Sequence, residues 1–401
     1  MLTDKITMKH KLFILASFCA FVVLSVPFNI QGPNAPVTMA HYGISAAQQG
    51  LILTIQSVGS LCAAVFIALQ GEKYNKIHGI AFGLLIICLI SAAIGFGPSY
   101  TVLLLLIAVM GVGISFVDVM TNSVVSEVFP KRKNTVLPLT HASFGIGAML
   151  TPVFVTFLAN PVMPESFSRP FRWFTIFAAI IFLFYLLSGR RIMPETPYAN
   201  MAAMRRRATE NPAEIFKTRG AWIFMLAGVL YFTFQMGVIV WLPTYAIRDA
   251  GMEFGLSGIL LTSYFAGSLA MRLLCPLFLR KFSARFIFSV FGGVAAVLML
   301  AALFTGNVPV MFALMTASGF MQGGSVPTYV LICCEAFPDR TASAASLCTL
   351  SSGIASLTAP LWVGALSEYT GFRLPMVLVC CALLVSSALI FRYKLHYYPG
   401  N

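Results

Sequence analysis

Charge is what this chain has least of. Asp, Glu, Lys and Arg make up 10% of its 401 residues, against 59% hydrophobic, and the mean hydropathy is +0.87. A soluble domain carries about 25% charged residues and needs them at its surface. That class is therefore excluded, and an all-α polytopic membrane protein is expected. Acids are scarcer than bases, 13 against 26, and inside the apolar stretches they dwindle to one, Asp118, with one histidine, His141. One acid and one imidazole without further ligands do not make a hydrolytic site or a metal centre. No catalytic residue, metal or cofactor is expected.

Paired cysteines are lacking too. Cys19, Cys62, Cys88, Cys275, Cys333, Cys334, Cys348, Cys380 and Cys381 all fall in apolar stretches, with none paired across an exterior loop, which excludes a disulfide framework. The neighbours Cys333-Cys334 and Cys380-Cys381 point about 100° apart on a helix and have no histidine beside them, so they are read as packing residues and not as zinc ligands. The N-terminal apolar run passes Phe28 without a small-residue cleavage site, so it is read as an uncleaved first span.

What is present is a series of twelve apolar segments, starting near Leu12, Ala46, Ile77, Ser99, Val136, Pro170, Gly220, Leu256, Ala284, Val308, Thr341 and Phe372. Each approaches the roughly 20 residues that a helix needs to cross hydrocarbon. The basic residues sort by side. With the N-terminus inside, Lys5, Lys9, Lys11, Lys73, Lys76, Lys131, Arg132, Lys133, Arg190, Arg191, Arg205, Arg206, Arg207, Lys217, Arg219, Arg280, Lys281, Arg285, Arg340, Arg392 and Lys394 are cytoplasmic. Arg169, Arg172, Arg248 and Arg373 fall outside. The asymmetry fits twelve spans with both termini cytoplasmic, in a bacterial inner membrane. It also accounts for the net charge of +13 without nucleic acid, which is not expected as a partner.

Polar residues within the spans are the functional candidates, because an ionisable group near the bilayer centre costs roughly 2.5 to 3.5 kcal/mol on insertion scales. Asp118 and His141 lie 12 and 11 residues from Pro130. Both are thus on the order of 15 Å from one membrane face, and two antiparallel neighbouring helices would bring carboxylate and imidazole together. Asn122, four residues on, shares the face of Asp118. The three are read as a proton-coupling group, the alternative being a fixed polar lock between helices. In the first span Asn29 to Pro36 holds two prolines and a glycine, which break the helical ladder. Such breaks line transporter cavities. Asn29, Gln31, Asn34 and, in the second span, Gln56 are candidate amides for a hydroxylated solute; for Gln31 and Asn34 the alternative is that the prolines end a tilted helix. The seventh span offers Tyr231, Gln235 and Trp241, with a second break expected at Pro243. Arg272 is the one cation inside the eighth span, and Gln322 and Tyr329 flank a Gly-Gly-Ser turn in the tenth. Trp241 alternatively anchors at the interface, and Arg272 alternatively serves structure. Glu127 and Glu335 are read as latches to Arg132 and Arg340.

The chain also repeats itself. Gly50-Leu-Ile-Leu-Thr54 falls on Gly258-Ile-Leu-Leu-Thr262, Glu127-Val-Phe-Pro130 on Glu335-Ala-Phe-Pro338 and Pro152 on Pro360, each at an offset of 208 residues. A constant offset with the same sidedness means two parallel six-helix bundles, 1–188 and 220–401, joined by a cytoplasmic linker, 189–219. Two such halves with a basic linker resemble the major facilitator superfamily over essentially the whole chain. Gly111-x-Gly113, Asp118 and Asn122, followed by Leu139-Thr-His141, Phe144-Gly145-Ile-Gly147-Ala148 and Pro152, are similar to the fourth and fifth helices of its fucose, glucose and galactose proton symporter branch. That resemblance places the branch's fourth-helix acid at Asp118. It finds no counterpart for the usual first-helix carboxylate. The expectation is a monomeric secondary transporter working by alternating access, taking up a small polar solute such as a sugar with protons, its partners being solute, protons and the lipid bilayer. The alternative is a proton-driven exporter of drugs or amphiphilic metabolites, which the Thr151-Pro152 pair disfavours, since exporters of the superfamily usually carry Gly-Pro there.

Overall fold

The structure is a computed structural model that describes residues 7–70, 74–129, 133–192, 212–337 and 341–393. Readings that fall on Lys5, Lys73, Lys131, Arg132, Arg205 to Arg207, Arg340 and Lys394 lie outside those residues. The described chain is almost wholly helical: α1 (Met8–Asn29), α2 (Gln31–Tyr42), α3 (Ala46–Gln70), α4 (Lys76–Gly95), α5 (Tyr100–Val128), α6 (Lys133–Leu158), α7 (Arg169–Ile192), α8 (Arg219–Arg248) and α9 (Phe254–Phe278). After these come α10 (Ala284–Phe304), which contains a π turn at Ile287–Phe291, then α11 (Val308–Gln322), α12 (Ser325–Ala336), α13 (Thr341–Thr370) and α14 (Arg373–Arg392). Eleven helices among the described residues are long and apolar enough to cross a membrane. The tenth segment is missing from that number because Gly323 and Gly324 divide it into α11 and α12. All-helical spans are what hydrocarbon demands, since a backbone amide there finds its partner within its own helix or not at all.

The first span is also divided. Pro33 has no N–H to give to the carbonyl of Asn29, and the helix stops at Asn29 and restarts at Gln31. The expected second break does not occur. Pro243 sits inside an uninterrupted α8: a proline forfeits one bond of the ladder, and a helix of thirty residues, most of them buried, carries that loss.

The helices gather into two units, Met1–Ile44 with Ile52–Thr209, and Ser45–Leu51 with Glu210–Asn401. The short segment joins the second unit through contacts such as Ala47 N–H to Glu368 Oε1, 2.8 Å. In the first unit α1 lies along α6 and α7, and α4 along α5 and α7; in the second α8 lies along α13 and α14, and α10 along α11 and α14. The two arrangements map onto each other through the 208-residue offset, and the mapping reaches individual atoms. Gly43 and Gly251 both adopt left-handed turns, φ 62 and 66. Asn75 caps α4 by accepting from Ile77 N and His78 N, and Ser283 caps α10 by accepting from Phe286 N.

The closest agreement is where backbones cross. A Cβ on Gly59 would run into the carbonyl oxygen of Ala108, and one on Gly267 into that of Thr316. One on Gly111 would strike the carbonyl of Gln56, and one on Gly319 that of Tyr264. Lipid gives no hydrophobic drive for helices to associate, so close approach at small residues supplies van der Waals contact instead. Next to the first crossing, Ser60 Oγ donates to Gly111 O at 2.9 Å and Ser115 Oγ to Ser60 O at 2.7 Å. The residue 208 after Ser115 is Gly323, whose bare Cα sits against the Ser268 carbonyl.

Glu127 pairs with Lys76 at the head of α4 and accepts from Ser123 Oγ at 3.3 Å, joining α4 to α5; the latch expected to Arg132 lies outside the described residues.

These crossings give a test. Gly59→Val and Gly267→Val each force a side chain into a backbone carbonyl and should lower stability by about 1–3 kcal/mol or more, as overpacking does. Gly293→Ala, where nothing lies within 4 Å of an added Cβ, should be neutral or stabilising by roughly 0.5–1 kcal/mol. Thermal unfolding of the purified proteins in detergent checks this, and equal midpoints for Gly59→Val and Gly293→Ala would refute the close crossing.

Candidate functional site

In the first unit, α5 carries Asp118 and Asn122 one turn apart, and Asn122 Nδ2 donates to Asp118 Oδ1 at 3.0 Å. His141, on α6, lies within electrostatic range of the carboxylate. The route by which it gets there differs from the expectation. α6 packs chiefly along α1 and only slightly against α5, because equal depth in the membrane fixes position along the normal and not lateral neighbours. The imidazole stands edge-on to Phe21 of α1, ring centroids 5.2 Å apart, and is exposed while Asp118 is half-buried. The group therefore draws on α5 and α6, with α1 supplying the wall.

The amides of the first span serve the break at Ile30. Gln56 Nε2, from α3, donates to Pro27 O at 3.2 Å, a carbonyl two residues before the end of α1. Asn29 Nδ2 donates back to Ser25 O at 2.8 Å, and Asn34 Nδ2 to Phe167 O at 2.9 Å in the 3-10 turn Pro164–Ser168. All three are buried, and so is Gln31. Asn29 Oδ1, Asn34 Oδ1, Gln56 Oε1 and Gln31 Nε2 find no protein partner among the described residues. Spare buried donors and acceptors of this kind are costly unless something meets them.

In the second unit the candidates divide. Tyr231 and Gln322 come together: Gln322 Nε2 donates to the Tyr231 hydroxyl oxygen at 2.8 Å, joining the middle of α8 to the end of α11. The glycine turn after Gln322 lets α11 stop where its last side chain can reach Tyr231. Arg272, half-buried on α9, acts electrostatically on that phenol. Gln235, one turn beyond Tyr231, is half-buried. Trp241 and Tyr329 are fully buried and hold backbone instead. The indole Nε1 donates to Pro360 O at 3.1 Å, with its ring 5.2 Å from that of Phe372, so Trp241 is no interfacial anchor. The Tyr329 hydroxyl donates to Phe224 O at 2.6 Å.

Two members of the second cluster escape a reading by residue type. Tyr264 is buried with a hydroxyl that has no hydrogen-bond partner among the described residues, and it too feels Arg272. Ser325 Oγ faces the Tyr231 phenol but falls outside hydrogen-bonding geometry. The repeat pointed at the first of them, since Tyr264 stands 208 residues after Gln56. Among the described residues no group of three or more His, Cys, Asp or Glu is placed to hold a metal.

Comparison with known proteins places this architecture. The sequence profile of the Major Facilitator Superfamily matches residues 14–301 and 248–400, so the chain belongs to that superfamily, a family of integral membrane transporters. It is similar to the uncharacterized MFS-type transporter YfkL of Bacillus subtilis, 23% identical over 90% of this chain and 89% of that one. It is also similar to the inner membrane transport protein YdiN of Escherichia coli, 22% identical over 97% and 93%. Among solved structures, a bacterial homolog of the human lysosomal transporter Spinster superposes with a TM-score of 0.82 at 15% identity, covering 96% of this chain and 97% of that one. The nucleoside transporter NupG gives 0.77 at 13% identity, covering 95% and 100%. At such identities the structures show a shared fold.

The Tyr231–Gln322 pair is testable apart from any solute. Gln322→Leu strands a buried phenol and should cost about 1–3 kcal/mol of stability. Adding Tyr231→Phe removes the stranded group, so the double variant should lose less than the sum of the single losses. Strict additivity in unfolding midpoints would show that the pair does not interact.

Proposed function

We propose that this transporter takes up a small polar solute, a sugar in the first instance, together with protons, by alternating access. The observation that carries the reading is the Asp118–Asn122 pair with His141 in electrostatic range. Moving a proton across a membrane requires a group that titrates inside it, and at cavity depth the described spans offer this acid and this imidazole, Arg272 being permanently charged. Asn122 stabilises the ionised carboxylate, and His141 is placed to sense or pass on its proton. The fucose, glucose and galactose branch is the part of the superfamily that this pattern resembles.

The solute side of the reading rests on amides and phenols: Asn29, Gln31, Asn34 and Gln56 in one unit, each with a buried polar atom that has no partner among the described residues, and Tyr231, Gln235 and Gln322 in the other. Amides and phenols exchange hydrogen bonds with hydroxyl groups without requiring charge. The bilayer partner is taken to be a bacterial inner membrane with both termini cytoplasmic, the protein a monomer, and the moving parts residues 1–188 and 220–401 with the linker 189–219 between. A proton-driven exporter would use the same acid; Thr151-Pro152 in α6, in place of Gly-Pro, favours import.

Asp118→Asn keeps the shape of the site and removes its titration. In proteoliposomes it should abolish pH-driven accumulation of solute from a labelled sugar panel while leaving exchange at equal concentrations largely intact, because exchange moves no net proton. Accumulation against a gradient by the Asn variant, or a wild type indifferent to pH, would exclude proton coupling through this residue.

A further inference from the structure

Among the described residues Arg272 is a cation without a counter-ion. Between Arg219 and Arg392 the described acids are Asp249, Glu253, Glu335 and Glu368, and each lies in a connection or within two residues of a helix end. No hydrogen bond or ion pair joins Arg272 to another described residue. A charge so placed is expensive, and two inexpensive remedies do not apply. Snorkelling would carry the head toward Arg280, eight residues and so about 12 Å along the helix, farther than an arginine side chain spans. Its charge is instead felt at Tyr231 and Tyr264, and Tyr231 lies twelve residues into α8, about 18 Å from Arg219 at helical rise. Nor is the residue turned out among the lipid-facing leucines. Leu273 and Leu274 are exposed, Met271 and Cys275 are buried, and Arg272 is on the flank between them.

The charge has polar company with capacity to spare. Tyr264 OH is buried and unpartnered, Ser325 Oγ likewise, and the Gln322 amide is held on the Tyr231 oxygen. One permanently ionised fork, two free hydroxyls and an amide–phenol pair therefore stand in one unit, on α8, α9, α11 and α12. Each hydroxyl can both donate and accept, and a guanidinium only donates, so the set is short of acceptors and of negative charge. We infer that the solute brings both: the polar cluster of the second unit recognises a small hydroxylated carboxylate, a sugar acid or hydroxy acid, with its carboxylate on Arg272 and its hydroxyls on Tyr231, Gln322, Tyr264 and Ser325. One guanidinium matches one carboxylate in geometry and in charge, whereas a phosphate dianion would be left half-compensated. The inference rests on the transporter reading of the same residues and narrows it from a neutral sugar to its acid.

The test is binding to the purified full-length protein in nanodiscs, followed by thermal unfolding and calorimetry, with matched pairs: glucose against glucuronate and gluconate, galactose against galacturonate, and glucose 6-phosphate as a third arm. At least one sugar acid should bind about tenfold or more tightly than its neutral partner, the size of effect that a charge-assisted bidentate pair gives. Arg272→Gln should remove that advantage, bringing the acid and its neutral partner within about twofold of each other. Arg272→Lys, which keeps the charge and loses the fork, should retain part of it, and it keeps the test open if the Gln variant does not fold. Neutral sugars binding as tightly as the acids, the phosphate binding in preference, no acid binding at all, or acid binding unmoved in both Arg272 variants would each overturn the inference. The pH-driven uptake measurement decides the transport reading separately, since a neutral sugar that accumulates with protons would keep that reading and sink this one.

Discussion

Everything in this structure answers to the absence of water around the spans. A backbone amide in hydrocarbon satisfies itself within a helix, and once every segment is helical the hydrophobic effect no longer drives the segments together. Cohesion passes to shape. Gly59 against Ala108, Gly111 against Gln56, Gly267 against Thr316 and Gly319 against Tyr264 bring main chain onto main chain, and serine hydroxyls such as Ser60 and Ser115 tie the same crossing with hydrogen bonds. The two broken segments are consistent with the same rule. Where Pro33 interrupts the ladder, Gln56 sends an amide to the Pro27 carbonyl; where Gly323 and Gly324 interrupt it, Gly323 packs onto the Ser268 carbonyl.

The repeat explains how much of this was legible. An offset found in short strings such as Gly50 to Thr54 extends to turns, caps and crossings, as with Gly43 and Gly251 or Asn75 and Ser283, because each is a local requirement written in one or two residue types. Lateral arrangement was not legible. Depth counted along a helix put Asp118 and His141 at one level, yet nothing in that count says that α6 runs beside α1. The outcome at Pro243 was equally out of reach, since the cost of a proline is fixed by chemistry and its consequence by the helix around it. Trp241 shows the same limit: residue type offered a cavity wall or an interfacial anchor, and only the fold puts the indole on the carbonyl of Pro360.

The candidate chemistry sits where the repeat fails. Asp118 corresponds to Val326, His141 to Thr349, Arg272 to Ala64 and Tyr231 to Val23. One unit has kept an acid and an imidazole, the other a cation and phenols. Duplicated scaffolds divide in this way when packing constrains both copies equally and chemistry does not. The symmetric residues describe how the bundle stands, and the asymmetric ones describe what it is for.

The glycine crossings also bear on how such a sequence can change over time. Every other amino acid adds a Cβ, so at Gly59, Gly111, Gly267 and Gly319 no single replacement is sterically silent, whatever its polarity or helix propensity. Elsewhere on the spans one aliphatic side chain exchanges for another at little cost. A lineage can therefore drift to 22% or 23% identity with its relatives and still have no sterically silent step available at these four positions. The oldest memory of the duplication is held by the residues with no side chain.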